Sequence, residues 1–294
     1  MKKFIYFLFL ILVVVAFGAG IYFKDDAINF YNNFNKKVED LKSANVGEII
    51  LQVQKQVLTA VPLNVGGENN DAVLLKSKII LETNKQRTAN GLKELLENNY
   101  LNNSATAKAN DMFLKQYFEH ISPDGVSPGD LVSKYGYEYL LTGENLILGN
   151  FENEAELVQA WMDSPGHREN ILNAGYTEIG VSIIKGEYKG ESVWIAVQEF
   201  GLPVSACQKP DENLKNQIDS KQIEIDELMS SITAKKEEIE KTNKNSAHYN
   251  QMIEDYNEMI KRYNLLAEEL KSIVGIYNNQ VNEFNNCASN SILK

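Results

Sequence analysis

A mixed α+β body, preceded by a membrane-spanning helix and followed by an antiparallel helical coiled-coil hairpin, is the fold the sequence predicts. Three observations predict it. Phe4–Phe23 is an uncharged, largely apolar run behind Lys2-Lys3. The middle of the chain switches from helical periodicity to strand alternation before residue 206. The last third carries heptad spacing on both sides of a polar turn, with the only two cysteines placed symmetrically about it.

The N-terminal run is long enough for a helix to cross a bilayer, which takes roughly 20 apolar residues. The lysines before it favour a cytoplasmic N-terminus and an exported body. Small residues at Ala16-Phe17-Gly18 and Gly18-Ala19-Gly20 leave a cleaved signal peptide open. The run continues past them to Tyr22 and Phe23, which favours an anchor. The expected location is the cell membrane, single-pass with the body extracytoplasmic, or the exterior if residues 1–23 are removed.

Residues 24–71 read as a helical stalk and linker. Ala27, Tyr31, Phe34, Val38 and Leu41 alternate by four and three, one stripe of a helix. Ile50, Val53, Val57 and Val61 form a second stripe beyond Gly47. Pro62–Asp71 (PLNVGGENND) has a linker composition.

Residues 72–206 form the α+β body. LLKSKIILETNKQR has helical periodicity, with Leu74, Ile79, Ile80 and later Leu92, Leu95 and Leu96 on apolar stripes. SATAKANDMFLKQYF is a second helix with Ser104 as its expected N-cap. Glu152–Asp163 is a third, ended by Ser164-Pro165-Gly166. IGVSIIKGEYKGESVWIAVQEFG then alternates as two strands about Lys189-Gly190.

Residues 207–288 read as the hairpin, with 289–294 a tail. One seam is Leu214, Ile218, Lys221, Ile225, Leu228, Ile232, Lys235 and Ile239. The other steps four and three from Tyr249 through Ile253, Tyr256, Ile260, Tyr263, Ala267, Leu270, Val274, Tyr277 and Val281 to Phe284. Thr242–Asn250 between them is the turn, and His248 within it is given no role. Cys207 and Cys287 are symmetric about residue 247, so the folded hairpin brings them together. In an oxidising exterior they are expected to form a disulfide, worth on the order of 4 kcal/mol by chain entropy. Two free buried cysteines are the alternative.

Charge limits the partners. Forty acidic residues against 29 basic ones give a net charge of −11. No basic patch is available to neutralise phosphates, so nucleic acid is excluded as a partner.

The residues with most chemistry are clustered. His120 lies in FEHISPDG, Glu144 in GENLILGN, and Glu156 and His167 in EAELVQAWMDSPGHRENIL; the chain has only three histidines. With TNKQRTANGLKEL, ATAKANDM and YTEIGVSI…WIAVQEFG, these motifs closely resemble, in order, the CAP or SCP superfamily (cysteine-rich secretory protein, antigen 5, pathogenesis-related-1) in its bacterial form. The resemblance covers Val73–Leu202. It implies an α–β–α sandwich, helices packed on both faces of a mainly antiparallel sheet. It also implies that His120, Glu144, Glu156 and His167 converge on one cleft, often with a divalent cation. Zn²⁺ is the expected ion, with the histidines as ligands and the glutamates holding water or orienting the rings. A buried polar network that only rigidifies the domain is the alternative. Eukaryotic members carry disulfides inside this domain; this one has no cysteine there. Glu199 adds a carboxylate on the last strand.

A hydrolase needs a nucleophile or an activated water. No cysteine lies in the domain, no GxSxG elbow is present, and two histidines are few for a metal-activated water. Ser122 and Ser164 each precede a proline and are expected to shape turns. The expected function is therefore a ligand- or metal-binding module in the cell envelope, not an enzyme; the alternative is a metal-dependent hydrolase (peptidase) acting on envelope substrates. Expected partners are the membrane through Phe4–Phe23 and an envelope ligand, with self-association through the coiled coil left open.

Overall fold

The protein's structure, a computed structural model, describes residues 55–68 and 72–292. The span at Phe4–Phe23 and the stripe over Ala27–Leu41 lie outside them, as do Ile50 and Val53. Among the described residues no helix is long and apolar enough to cross a membrane.

The sheet is built on three long strands: β4 (Tyr139–Gly149), β5 (Glu178–Tyr188) and β6 (Glu191–Pro203). β6 pairs antiparallel with both of the others. The β5–β6 turn falls at Lys189-Gly190, as expected, with both residues at positive φ (51° and 87°). Two positive φ values in succession give a hairpin turn whose twist matches the strands. Short β3 (Leu96–Glu97) flanks β5, and β1 (Gln56–Thr59) and β2 (Leu63–Gly66) both run parallel to β4 on the opposite edge.

The helices are α1 (Lys76–Ala89), α2 (Asn99–Lys115), α3 (Pro128–Lys134), α4 (Glu154–Asp163), α5 (Pro165–Ile171), α6 (Glu212–Lys241) and α7 (Tyr249–Ile292). Strand alternation sorts the core onto two faces. Leu146, Leu148, Val193, Ile195 and Val197 meet Ala105, Ala109 and Met112 of α2. On the other face Ile147, Trp194, Ala196 and Phe200 pack with Ile79 of α1, Leu157 and Trp161 of α4, and Ile171 of α5. The result is the expected sandwich. Arg87 binds the end of α1 to the loops around it: its buried guanidinium donates to the carbonyls of Lys93, Ile171 and Asn173 at 2.7–2.9 Å.

Several expectations need correction. Val57, expected on a helical stripe, lies on strand β1, and Val61 lies between two strands. A spacing of four satisfies a period of 2 as well as one of 3.6. β-branched valines suit a strand, Pro62 would break a helix, and the edge of β4 supplies a partner. Part of the expected linker is therefore strand β2. Ser104 does not cap α2; that helix starts five residues earlier, and the Asn98 side chain accepts from the backbone N–H of Tyr100 and Leu101. α1 ends before Leu92, and Leu96 is exposed on β3. α4 begins at Glu154 with Asn153 as its cap.

Helices α6 and α7 run antiparallel. Asp211 N–H donates to Gln280, Lys221 pairs with Glu269 at 2.6 Å and Arg262 with Glu224 at 2.8 Å. Every residue of both expected seams is buried or half-buried. Cys207 and Cys287 form a disulfide at the open end, with Cα atoms 5.8 Å apart. There Cys207, Phe284 and Ala288 enter the core of the sandwich.

Candidate functional site

β4 (YLLTGENLILG) is buried along its whole length. Alternation sends Glu144 to the α2 face and its neighbour Asn145 to the other. The two sides treat their polar groups differently.

On the Asn145 side the polar groups form a closed chain. Asn145 Nδ2 donates to the carbonyl of His167 and to Gln198 Oε1, both at 3.1 Å. Gln198 Nε2 donates to Thr83 Oγ1 at 2.8 Å, and Thr83 passes its own proton to the Ile79 carbonyl. Asn170 Nδ2 donates to Asn145 Oδ1 at 2.9 Å. This is the rigidifying network that the sequence leaves open, built from residues other than the four singled out.

On the α2 side Glu144 stands directly across from Glu199 of β6. Both are fully buried. Glu144 Oε1 lies 2.7 Å from His120 Nδ1, and Glu199 Oε1 accepts from Ser104 Oγ at 2.9 Å. The second oxygen of each carboxyl is buried without a hydrogen-bond partner. Burial, with Glu144 beside it, raises the Glu199 carboxyl well above the usual carboxylate range, while the Ser104 hydrogen bond and Lys108 pull the other way. Lys108 of α2 is buried here too, its ammonium donating to the His120 carbonyl at 2.5 Å and lying 4.9 Å from the centre of the Tyr117 ring. Burial lowers its pKa, against the pull of Glu144, Asp111, Glu199 and Glu119.

His120 follows α2 in a loop and reaches solvent with 13% of its side chain. Its Nε2 meets the main-chain carbonyl of Ala60, between β1 and β2. A carbonyl oxygen can only accept, so Nε2 is the donor in that contact. Ser122 exchanges two hydrogen bonds with Val126 and its carbonyl accepts a third from the N–H of Gly125, the turn-shaping role expected of Ser122.

His167 is buried on α5; its Nδ1 meets Ser164 Oγ at 2.8 Å and its Nε2 has no partner. Burial pushes its pKa down to about 4, the nearby Leu146 backbone works against that shift, and His120 adds to it. Glu156 does not join the others. It is exposed, and its carboxylate accepts from the backbone N–H of Glu152 at 2.6 Å, at the start of α4.

The four side chains are not gathered into one ligand set: His120 meets Glu144, His167 meets Ser164, and Glu156 stands apart. Among the described residues no group of three or more His, Cys, Asp or Glu side chains is arranged to hold a metal. Both His120 nitrogens are engaged, one His167 nitrogen is committed to Ser164, and Glu156 is occupied at a helix end.

Lys108 joins the site without having been singled out by sequence, and Ser104 joins it in place of the capping role expected of it. Leu101, Ala105, Lys108 and Met112 share the inward stripe of α2, and a lysine among buried alanines is the signal that was available.

Comparison with known proteins agrees with this fold. The family model for the cysteine-rich secretory protein family (CAP) matches residues 81–200. YkwD of Bacillus subtilis (strain 168), described as an uncharacterized protein, is 43% identical over 125 residues, 42% of this chain and 46% of that protein. YlbC of the same bacterium, described as an uncharacterized membrane protein, is 29% identical over 113 residues, 38% of this chain and 32% of that protein. The chain thus spans less than half the length of either relative. An extracellular SCP-domain protein of Bacillus anthracis (strain Ames), whose structure is solved, is 28% identical, with a TM-score of 0.37 over 43% of this chain and 39% of that one. Over residues 81–200, this chain carries a domain of the cysteine-rich secretory protein family.

Proposed function

We propose that the protein is a membrane-anchored, extracytoplasmic binding module whose ligand engages the sheet edge at His120. One observation carries this reading: the contrast between the two polar groups of β4. On the Asn145 side the amides and Thr83 bond one another and suit a structural role, the orphan atoms there being the indole nitrogens of Trp161 and Trp194. The Glu144 side keeps two buried carboxyls with orphan oxygens behind a solvent-touching imidazole. An unpartnered buried polar group costs roughly 1–3 kcal/mol, and folds tolerate such costs mainly at functional sites.

The chemistry favours binding over turnover. The Ser104 hydroxyl is committed to Glu199 and that of Ser122 shapes its turn. Glu144 orients the His120 ring, leaving its Nε2 edge to meet an acceptor. The Phe4–Phe23 run supports retention at the membrane. The test is co-sedimentation of the detergent-solubilised full chain with membrane-free envelope polymer of its host. His120→Ala and Glu144→Gln are each expected to weaken retention at least tenfold while leaving circular dichroism unchanged. Equal retention by folded variants would remove the site from the binding role.

A further inference from the structure

We infer that the edge of β4 beside His120 is a groove for an extended polypeptide, and that residues 56–66 of this same chain are its resident occupant. The inference rests on the binding role proposed for His120 and names its ligand class.

Strand β1 pairs with β4 from Gln56 opposite Leu141 to Thr59 opposite Glu144, and β2 resumes with Leu63 opposite Ile147. Three residues, Ala60, Val61 and Pro62, thus face two, Asn145 and Leu146. The extra residue turns the Ala60 carbonyl onto His120 Nε2. A main-chain carbonyl presents the same atom whatever the side chain, so a foreign strand can supply it equally well. This is strand addition to a sheet edge, in which backbone pairing gives affinity and pockets along the strand give specificity.

The pocket for specificity is at Ala60. Ala60 is 7% exposed, and a Cβ added at Gly166 would lie 3.0 Å from its Cβ. Only a small side chain fits there. Around it the segment is lightly held: Val57, Val61 and Val65 are exposed, and only Leu58 and Leu63 rest partly buried on the core.

The hold is uneven along its length. Asn150 fastens the far end, its N–H donating to the Gly66 carbonyl at 2.7 Å and its Nδ2 to that of Gly67 at 3.3 Å. Gly66 and Gly67 both have positive φ, 66° and 99°, where a hinge is inexpensive. At the β1 end the hold is Lys55 over the Tyr139 ring at 4.9 Å and the Ala60 contacts, and the proposed exchange releases these while the chain turns about Gly66-Gly67. The incoming ligand is an extended peptide parallel to β4, apolar, with a small residue opposite Gly166.

The test uses the full chain with the segment loosened by Leu58→Asp and Ala60→Asp together. The probe is a fluorescent synthetic peptide with the sequence of residues 55–67. It is expected to bind the loosened chain at least tenfold more tightly than the unaltered chain. Adding His120→Ala to the loosened chain, or Ala60→Trp to the peptide, should each reverse at least tenfold of that binding. A loosened chain with native tryptophan fluorescence that binds no better than the unaltered one overturns the inference. Hydrogen exchange on the unaltered chain tests it independently. β1 amides are expected to exchange at least 100-fold faster than those of β6, and equal protection also overturns the inference. If the loosened chain still binds envelope material through His120 but ignores the peptide, the ligand class is wrong and the binding site stands. If His120 matters to neither, both readings fall.

Discussion

Removing the Cys207–Cys287 disulfide should detach the hairpin from the sandwich before the sandwich itself unfolds. The bond joins residues 80 apart in sequence. Chain entropy for a loop of that size gives about 4.5 kcal/mol. Helices that persist in the unfolded ensemble reduce this, so about 3 kcal/mol is the expected loss. What remains at the hairpin base is the packing of Phe284 and Ala288 against the core. The assay is urea unfolding of the oxidised chain, the reduced chain and the Cys207→Ala, Cys287→Ala variant, followed by two signals. Both tryptophans, Trp161 and Trp194, are buried in the sandwich, so fluorescence reports that part alone. Circular dichroism at 222 nm is dominated by the long helices α6 and α7. The two transitions should coincide when oxidised. When reduced, the helical midpoint should fall by about 1 M, taking a slope near 2–3 kcal/mol per molar urea, while fluorescence moves less. If reduction shifts neither midpoint by more than about 0.3 M, the bond does not constrain the unfolded chain and the reasoning fails.

Two further predictions concern the site. His167 has a folded pKa near 4 against 6.5 in its ordinary state. Its contribution is complete above pH 6.5 and lost as pH falls through about 4, at about 1.4 kcal/mol per unit. Denaturation between pH 7 and 4.5 should show a loss approaching 3 kcal/mol that His167→Gln abolishes; a variant tracking the parent at every pH would reject it. Glu199 is shifted the other way, so its contribution is present at low pH and lost as pH rises through its raised folded value. Glu199→Gln retains an acceptor for Ser104 and should equal the parent in melting temperature at pH 5 while exceeding it at pH 9. A variant less stable at both would mean that Glu199 is held ionised.

The sequence made the helices and the β5–β6 hairpin legible because their periodicity is set by local burial. The seam positions are buried or half-buried for the same reason, and Lys221 among them finds Glu269 across the hairpin. Positions that serve two periods were not legible. Valines four apart fit a helix and a strand equally, and only the open edge of β4, a tertiary fact, decides for the strand. Ser104 shows a related limit. A serine ahead of alanines resembles a cap, and its interior position becomes visible only once Asn98 is seen accepting from the first turn.

The site was half legible, and the way it divided is informative. The GEN motif identifies Glu144 and Asn145 but not that one strand sends them to opposite faces with opposite fates. Asn145 closes a network with Gln198 and Asn170, while Glu144 faces Glu199 from the neighbouring strand. Side chains directly opposite on antiparallel strands share a face, so this carboxyl pairing follows from register, which local spacing does not encode. The same register sets what chemistry the pair can do. Burial and the neighbouring Glu144 raise the pKa of Glu199, which accepts from Ser104. Glu144 is then the carboxyl left to orient His120, and His120 is the one member of the group that reaches solvent. On the binding role proposed above, a ligand at this edge would meet an imidazole held in direction by Glu144 of β4.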